Sequence, residues 1–487
     1  MVSRHPGNTE AVMGTRRREL GLVEVAALSL AIMAPTAAMA LNGSLAASIA
    51  GTAVPLSFLF ALVTIAFVAY AFVEFARQYS TAGSVYTFNG VALGARAGFL
   101  SGWALLLTYV AFTAASAAET GAFFESFAGV LGLHVSWFVP ALVAAVLVWL
   151  LGTRDVSLST RATLVIEALS IVVIIVLAVV ILARGGAHGL TLQPLAVGSG
   201  GVGAVGLASV FAFLSFAGFE GAATLGEETR NPKRAIPRAI VAAVLAAGIF
   251  YLVITYVQSI GFGMSASGVH RFATSSSPLG DLAQQYVGAP MAGAIMAGAT
   301  VSAFACTVAG ATAASRLLLT LGRDGLLPSA LARVSRTHRS PVTAITVVMI
   351  ITVIALVGFW AAGAPGSAVF GYLGTIGVLS LLLVYLVTQV GAIVLFGRSG
   401  RWHGLQFAVP IIAILLLAYA LYANVFPVPA APYNLFPYIV VVWIVIGVVL
   451  AAARPAAMRK VAADLVGHLE QARDGKADEA IESEPIR

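Results

Sequence analysis

Apolar runs of about 20 residues follow one another along almost the whole chain, and that feature restricts what it can fold into more than any other. A run of that length crosses the roughly 30 Å hydrocarbon core of a bilayer as a helix. Placed in water, so many runs would leave more apolar surface than the remaining polar residues can cover. Charged residues make up 10% of the chain and hydrophobic ones 60%, whereas a soluble domain carries roughly a quarter charged residues. The runs lie near residues 20–46, 53–76, 97–128, 136–152, 162–183, 203–228, 238–262, 288–321, 341–361, 367–396, 405–424 and 435–454. They are long and continuously apolar, which excludes the short alternating strands of a membrane barrel. The expected fold class is all-α, a polytopic membrane protein of about twelve helices in one bundle.

The 27 Lys and Arg residues sort by side when placed on this map. All but Arg184 and Arg271 fall on the side of the two chain ends. By the positive-inside rule that side is cytoplasmic, with an even number of spans. The localisation expected is a cytoplasmic (inner) membrane, with both termini in the cytoplasm. The net charge of +7 is dispersed over short loops, so it reads as a topology signal and not as a nucleic-acid footprint. Residues 1–15 are polar, and the first apolar run is too long for a signal peptide, so the first helix is the expected insertion signal. Cys306 is the single cysteine; inside an apolar run it reads as a small buried packing residue. The tail from 455 begins as an amphipathic helix and ends in a charged, solvated stretch.

Two runs are interrupted at mid-membrane depth. In the first, Ala34-Pro35-Thr36-Ala37-Ala38 places a proline where it removes a helix hydrogen bond. In the sixth, Phe213-Leu214-Ser215-Phe216-Ala217-Gly218-Phe219-Glu220-Gly221 sets two glycines around a carboxylate. The first and sixth spans are equivalent if five helices are repeated, and an odd repeat inverts the second copy. Paired broken helices in matching positions point to a transporter site. The outer half of span 1 would start near Ala37 and aim backbone N–H groups at the break, favouring a substrate carboxylate. The outer half of span 6 would end near Ser215 with free carbonyls, favouring an ammonium.

At these residues the chain resembles the amino acid, polyamine and organocation permease family. The resemblance covers about residues 20–400 and is carried by Phe211-Ala-Phe-Leu-Ser-Phe-Ala-Gly-Phe-Glu220, by Gly226-Glu-Glu-Thr-Arg-Asn-Pro-Lys-Arg-Ala-Ile-Pro237, by Ser315-Arg-Leu-Leu-Leu-Thr-Leu-Gly-Arg-Asp-Gly-Leu-Leu-Pro328 and by Ala82-Gly-Ser-Val-Tyr-Thr87. It implies a leucine-transporter-type fold: a first five-helix repeat at 20–183, an inverted second repeat at 203–396, and peripheral helices 11 and 12 at 405–454. These lie between an N-tail at 1–19 and a C-tail at 455–487. It further implies that Ala34, Pro35, Thr36, Ala37 and Ala38 face the substrate together with Phe216, Ala217, Gly218, Phe219 and Glu220, with Phe213 as a hydrophobic gate. Many relatives carry a Gly-Ser-Gly-like run where this chain has Ala34 to Ala37. Several proton-coupled relatives carry a lysine in span 5, where this chain has Glu167 and Ser170. The coupling ion, H⁺ or Na⁺, stays open.

Glu220 is the expected substrate or proton group. Glu167 lies about one turn beyond Arg161 and reads as a local ion pair or a coupling residue. Glu227 and Glu228 are gate candidates among Arg230, Lys233 and Arg234, Glu119 and Glu125 read as outer vestibule residues, and Tyr109 and Thr113 as cavity-lining or packing residues. Trp137, Trp360 and Trp402 near span ends read as interface anchors. No His pair or Cys/His spacing suggests a metal or cofactor, and no interfacial cluster suggests an enzyme; paired broken helices argue against a channel. The function expected is secondary active transport of an amino acid by ion-coupled uptake or exchange, with membrane lipid and the solute as partners and no nucleic acid. A polyamine or other organic amine is the alternative. It is disfavoured because a diamine needs two anionic contacts and the mid-membrane sequence offers one clear carboxylate, Glu220.

Overall fold

The computed structural model describes residues 21–78, 85–154, 160–198, 200–225, 229–335, 340–399, 404–463 and 465. Among the described residues there is no strand. The helices are α1 (Leu22–Met33), α2 (Pro35–Ala50), α3 (Val54–Gln78), α4 (Val85–Leu93), α5 (Ala95–Val130), α6 (Phe138–Thr153), α7 (Thr160–Ala183) and α8 (Gly201–Phe216). A 3-10 segment, Phe219–Leu225, follows α8. Then come α9 (Pro232–Phe262), α10 (Ala266–Thr274), α11 (Pro278–Tyr286), α12 (Ala289–Arg323), α13 (Val342–Ala361), α14 (Gly366–Ser399), α15 (Gly404–Ala423) and α16 (Phe436–Ala453).

Ten stretches of the described residues are long and apolar enough to cross a membrane. The first, Leu22–Arg77, runs through two of the expected spans, and the shorter apolar helix Phe138–Thr153 stands where the fourth was expected. The protein is a polytopic all-α membrane protein. Span 1 is α1 with α2, and span 6 is α8 with the 3-10 segment. Three helices had not been expected: α4 before span 3, and α10 and α11 between spans 7 and 8.

Among the extensive contacts are those of α5 with α12, α3 with α9, α2 with α8 and α6 with α13. Each therefore pairs a span with the one five positions later. The cross-contacts reciprocate: α1 meets α9 as α3 meets α8, and α14 meets α5 as α12 meets α7. The helix contacts form one connected set. Within it α15 packs against α14 and α3, and α16 against α14 and α5. The α16 attachment is specific. Trp103 and Trp443 stack with ring centroids 4.4 Å apart, and each indole N–H donates to the other residue's carbonyl at 2.8 Å.

Outward faces are apolar, as a hydrocarbon surround requires. Leu169, Val172 and Val179 on α7, Ile350 and Ile354 on α13, and Val441, Val445 and Val449 on α16 are all exposed. Inside, several side-chain donors are tied to partners, which offsets the cost of burying them away from water. Asn89 donates to Ser101 Oγ at 2.8 Å and to Thr388 Oγ1 at 3.2 Å, and Gln258 donates to the Met39 carbonyl at 2.7 Å. Of the expected interface anchors, Trp360 is half-exposed and stacks on Phe138, whereas Trp137 is buried. Trp137 packs over Gly366 instead of reaching the interface. Trp402 lies outside the described residues.

Candidate functional site

The break in span 1 is a single residue. Ala34 sits in the left-handed region, φ 45° and ψ 64°, where it ends α1 and begins α2. Its own N–H still reaches the Ala31 carbonyl at 3.1 Å, and its carbonyl accepts from Ala38 N–H at 3.0 Å. Pro35 follows at the first helical position, where its fixed φ suits the start of a helix and its missing N–H removes no intrahelical bond. The proline therefore founds a new helix.

The break in span 6 is wider. α8 closes at Phe216, Ala217 is extended, and Gly218 has φ +103°, a conformation side chains rarely adopt. The 3-10 segment then begins. A Cβ on Gly218 would stand 2.6 Å from Ile32 Cγ2 on α1. The glycine thus lets the two breaks touch. Ser29 Oγ on α1 fastens them further by donating to the Phe219 carbonyl at 3.0 Å.

Between the breaks lies a cavity of about 830 Å³. Of the expected site residues, Ala34, Ala37, Ala38, Ala217, Gly218 and Glu220 line it. Pro35 and Thr36 do not. Phe213, Phe216 and Phe219 turn into the packed interior, against Phe60, Tyr251 and Phe72 respectively, and do not line the cavity. The reason is geometric: the cavity takes the narrow face of α8 bearing Leu214, while the aromatic face serves the helix-to-helix seam.

Glu220, 8% exposed, is held by two donors on one oxygen, the Tyr385 hydroxyl at 2.9 Å and the Gly218 N–H at 3.2 Å. The acceptors expected from the end of α8 are already used. The Ser215 carbonyl takes the Tyr251 hydroxyl at 2.8 Å, and the Leu214 carbonyl takes Ala217 N–H at 3.3 Å. Glu220 is the carboxylate at this break, and it lines the cavity.

The donor side also differs from expectation. Thr36 N–H donates to Glu167 Oε1 at 2.8 Å, and Ala37 N–H reaches Ser302 Oγ at 3.4 Å. A helix N-terminus favours an anion, and here α7 of the protein supplies that anion. Glu167 is thus a cap on the broken span; the Arg161 side chain lies outside those described. Ser170, one turn further along α7, packs on Gly298 and donates to the Ile166 carbonyl at 2.9 Å. Neither Glu167 nor Ser170 lines the cavity. Glu227 and Glu228 lie outside the described residues, as do Ala82 to Ser84 of the motif after span 2.

Glu119 was expected to be an outer vestibule residue. It lines the cavity at 2% exposure, and its Oε1 has no hydrogen-bond partner. Glu125, also expected in the vestibule, is exposed. The readable signal was a helical stripe on span 3: Thr108, Tyr109, Phe112, Ala115, Ser116 and Glu119 all line the cavity, spaced three or four apart as one helix face requires. Sequence reasoning missed Tyr385 and Asn42; Asn42 lines the wall and donates to Ser215 Oγ at 2.8 Å. Cys306 was expected to be buried packing, yet it faces the cavity. Away from the breaks the cavity passes Thr312, Arg316, Thr320 and Asp324 of the α12 end, and reaches Val461 and Leu465 of the tail. It extends toward the face that carries the basic residues.

Residues 20–448 match the amino acid permease family profile. The chain is 27% identical to the branched-chain amino acid permease BcaP of Bacillus subtilis (strain 168) over 344 residues, covering 67% of this chain and 71% of the relative. It is 28% identical to the methylthioribose transporter of the same organism, covering 66% and 71%. It is 28% identical to the low-affinity putrescine importer PlaP of Escherichia coli (strain K12), covering 64% and 69%.

Proposed function

This chain belongs to the amino acid permease family, and on that premise we propose that it is a secondary active transporter which binds the ammonium group of its solute at Glu220. As the family and these relatives indicate, the protein is a transporter of amino acids or amines and not an enzyme. The observation that carries the finer reading is the placement of Glu220. It is a buried carboxylate between two broken helices, lining a cavity that reaches one face of the bundle. Alternating access follows from that geometry: the cavity reaches the basic face, so the opposite route opens when the two five-helix units, 20–183 and 203–396, rearrange around the breaks. The positive-inside rule supports a cytoplasmic basic face, and with it termini in the cytoplasm of an inner membrane and an inward-facing conformation.

An amino acid is the first reading, in line with the branched-chain amino acid permease. An amine lacking a carboxylate is the second, in line with the putrescine importer. One observation favours the second: the N–H groups at the start of α2, where a substrate carboxylate was expected, already serve Glu167 and Ser302.

Uptake of labelled leucine, arginine and putrescine into proteoliposomes tests the reading, with Glu220→Gln as the discriminating variant. If Glu220 is the ammonium partner, binding falls in the variant and cationic solutes lose most. If it is the protonation switch of H⁺-coupled transport, binding and exchange persist while accumulation driven by a pH gradient disappears. Unchanged affinity together with an unchanged pH profile refutes both roles.

A further inference from the structure

The cavity holds a second carboxylate that the reading above does not use. Glu119 comes from α5, across the cavity from the breaks, and its Oε1 is buried without a partner. Leaving a buried polar oxygen unpaired is costly. That cost disappears when a donor from the solute reaches it. Tyr109 is on the same cavity-lining stripe. Glu119 lies ten residues further along α5, a rise of about 15 Å. Both carboxylates line one cavity, whose wall also includes Ala37, Ala38, Phe112 and Ala115. A chain of methylenes suits such a wall. The start of α2, meanwhile, receives its anion from Glu167 of the protein.

Building on the reading that an ammonium binds Glu220, we propose that Glu119 is a second cation subsite. The pocket then takes a solute with a cationic group at each end of an apolar chain and no carboxylate, an aliphatic diamine. The cavity thus offers two carboxylates, Glu220 and Glu119, where the sequence offered one. Each ammonium meets one buried carboxylate, and the solute supplies the donors that Glu119 lacks. The mouth, with Arg316 and Asp324, carries one charge of each sign and adds no net anionic pull of its own.

Equilibrium binding to the purified full-length protein tests this with n-butylamine, leucine, and a series of diamines from diaminopropane to diaminooctane. The wild type is expected to bind its best diamine at least about tenfold more tightly than n-butylamine, a second ion pair being required for such a gap. Glu119→Gln is expected to reduce the ratio of diamine to butylamine affinity by at least about tenfold, whereas Glu220→Gln weakens diamine and butylamine alike. Should Glu119→Gln fail to fold, Glu119→Asp serves: withdrawing the carboxylate by one methylene shifts the preferred diamine to a longer chain. Equal affinity for diamine and butylamine in the wild type, or a ratio untouched by both Glu119 variants, overturns the second subsite while leaving Glu220 as an amine partner. Absence of binding by every amine and by leucine overturns the Glu220 reading, and the subsite with it.

Discussion

Replacing Gly218 by alanine probes the contact on which the joined breaks depend. The residue has φ +103°, and a Cβ there would meet Ile32 Cγ2 at 2.6 Å, with the Ile32 backbone carbon and oxygen at 3.4 Å. Backbone strain at such a φ costs of order 1–3 kcal/mol, and an inserted carbon in a packed contact costs a further 1–3 kcal/mol or so. The total expected loss is roughly 2–6 kcal/mol. Because the contact joins span 1 to span 6, the α1 end and the 3-10 segment should separate, and uptake should fall by more than about tenfold in protein that still inserts. The two costs are separable. Ile32→Leu removes Cγ2, so in that background Gly218→Ala should recover the packing part of the loss and keep the strain part. Apparent melting temperatures in detergent for the four proteins of this cycle, with uptake measured on each, give the answer. A Gly218→Ala protein of wild-type stability and transport would refute the reasoning, and an identical loss with and without Ile32 would remove the steric half of it.

Three further outcomes are expected. Glu167→Ala uncaps α2 and should lower stability by about 0.5–2 kcal/mol; by freeing the Thr36 N–H it should also raise the affinity of carboxylate-bearing solutes relative to amines, measured by the same binding assay. Tyr385→Phe removes one of the two donors that orient Glu220 and should weaken amine binding by about two- to tenfold, read as a raised Kd in folded protein. Reporter fusions after residue 270 and after residue 335 should report opposite sides of the membrane, and equal signals from both would end the topology.

The helices were legible because hydrophobic length is decisive in lipid; even the long α5 and α12 begin and end within two residues of their expected limits. The two breaks were legible for the same reason, since Pro35 and Gly218 are local backbone signals. What the breaks bind was less so. The start of α2 was expected to present free N–H groups, but its partner Glu167 is 131 residues away in sequence, and no local pattern announces such a cap. Phe213, Phe216 and Phe219 lie beside the break in sequence yet face the seam in space, because a break changes direction and side chains on its two sides no longer share a helical face. Glu119 was misplaced for a simpler cause. Its distance along span 3 suggested the outer end, while the cavity reaches that depth because Ala115 and Ser116 beside it are small.

The Trp103 and Trp443 pair has a mechanical meaning. Two stacked indoles, each donating to the other's backbone, act as a rivet between α5 and α16. A helix at the periphery is usually pictured as a bystander while the core rocks. Riveted in this way, α16 is obliged to travel with α5 as one rigid body, and any surface that α16 offers to lipid or to a neighbouring protein travels too. The stacked pair is also an optical gauge of that linkage: its near-ultraviolet circular dichroism should hold constant through a transport cycle, however far the rest of the bundle turns.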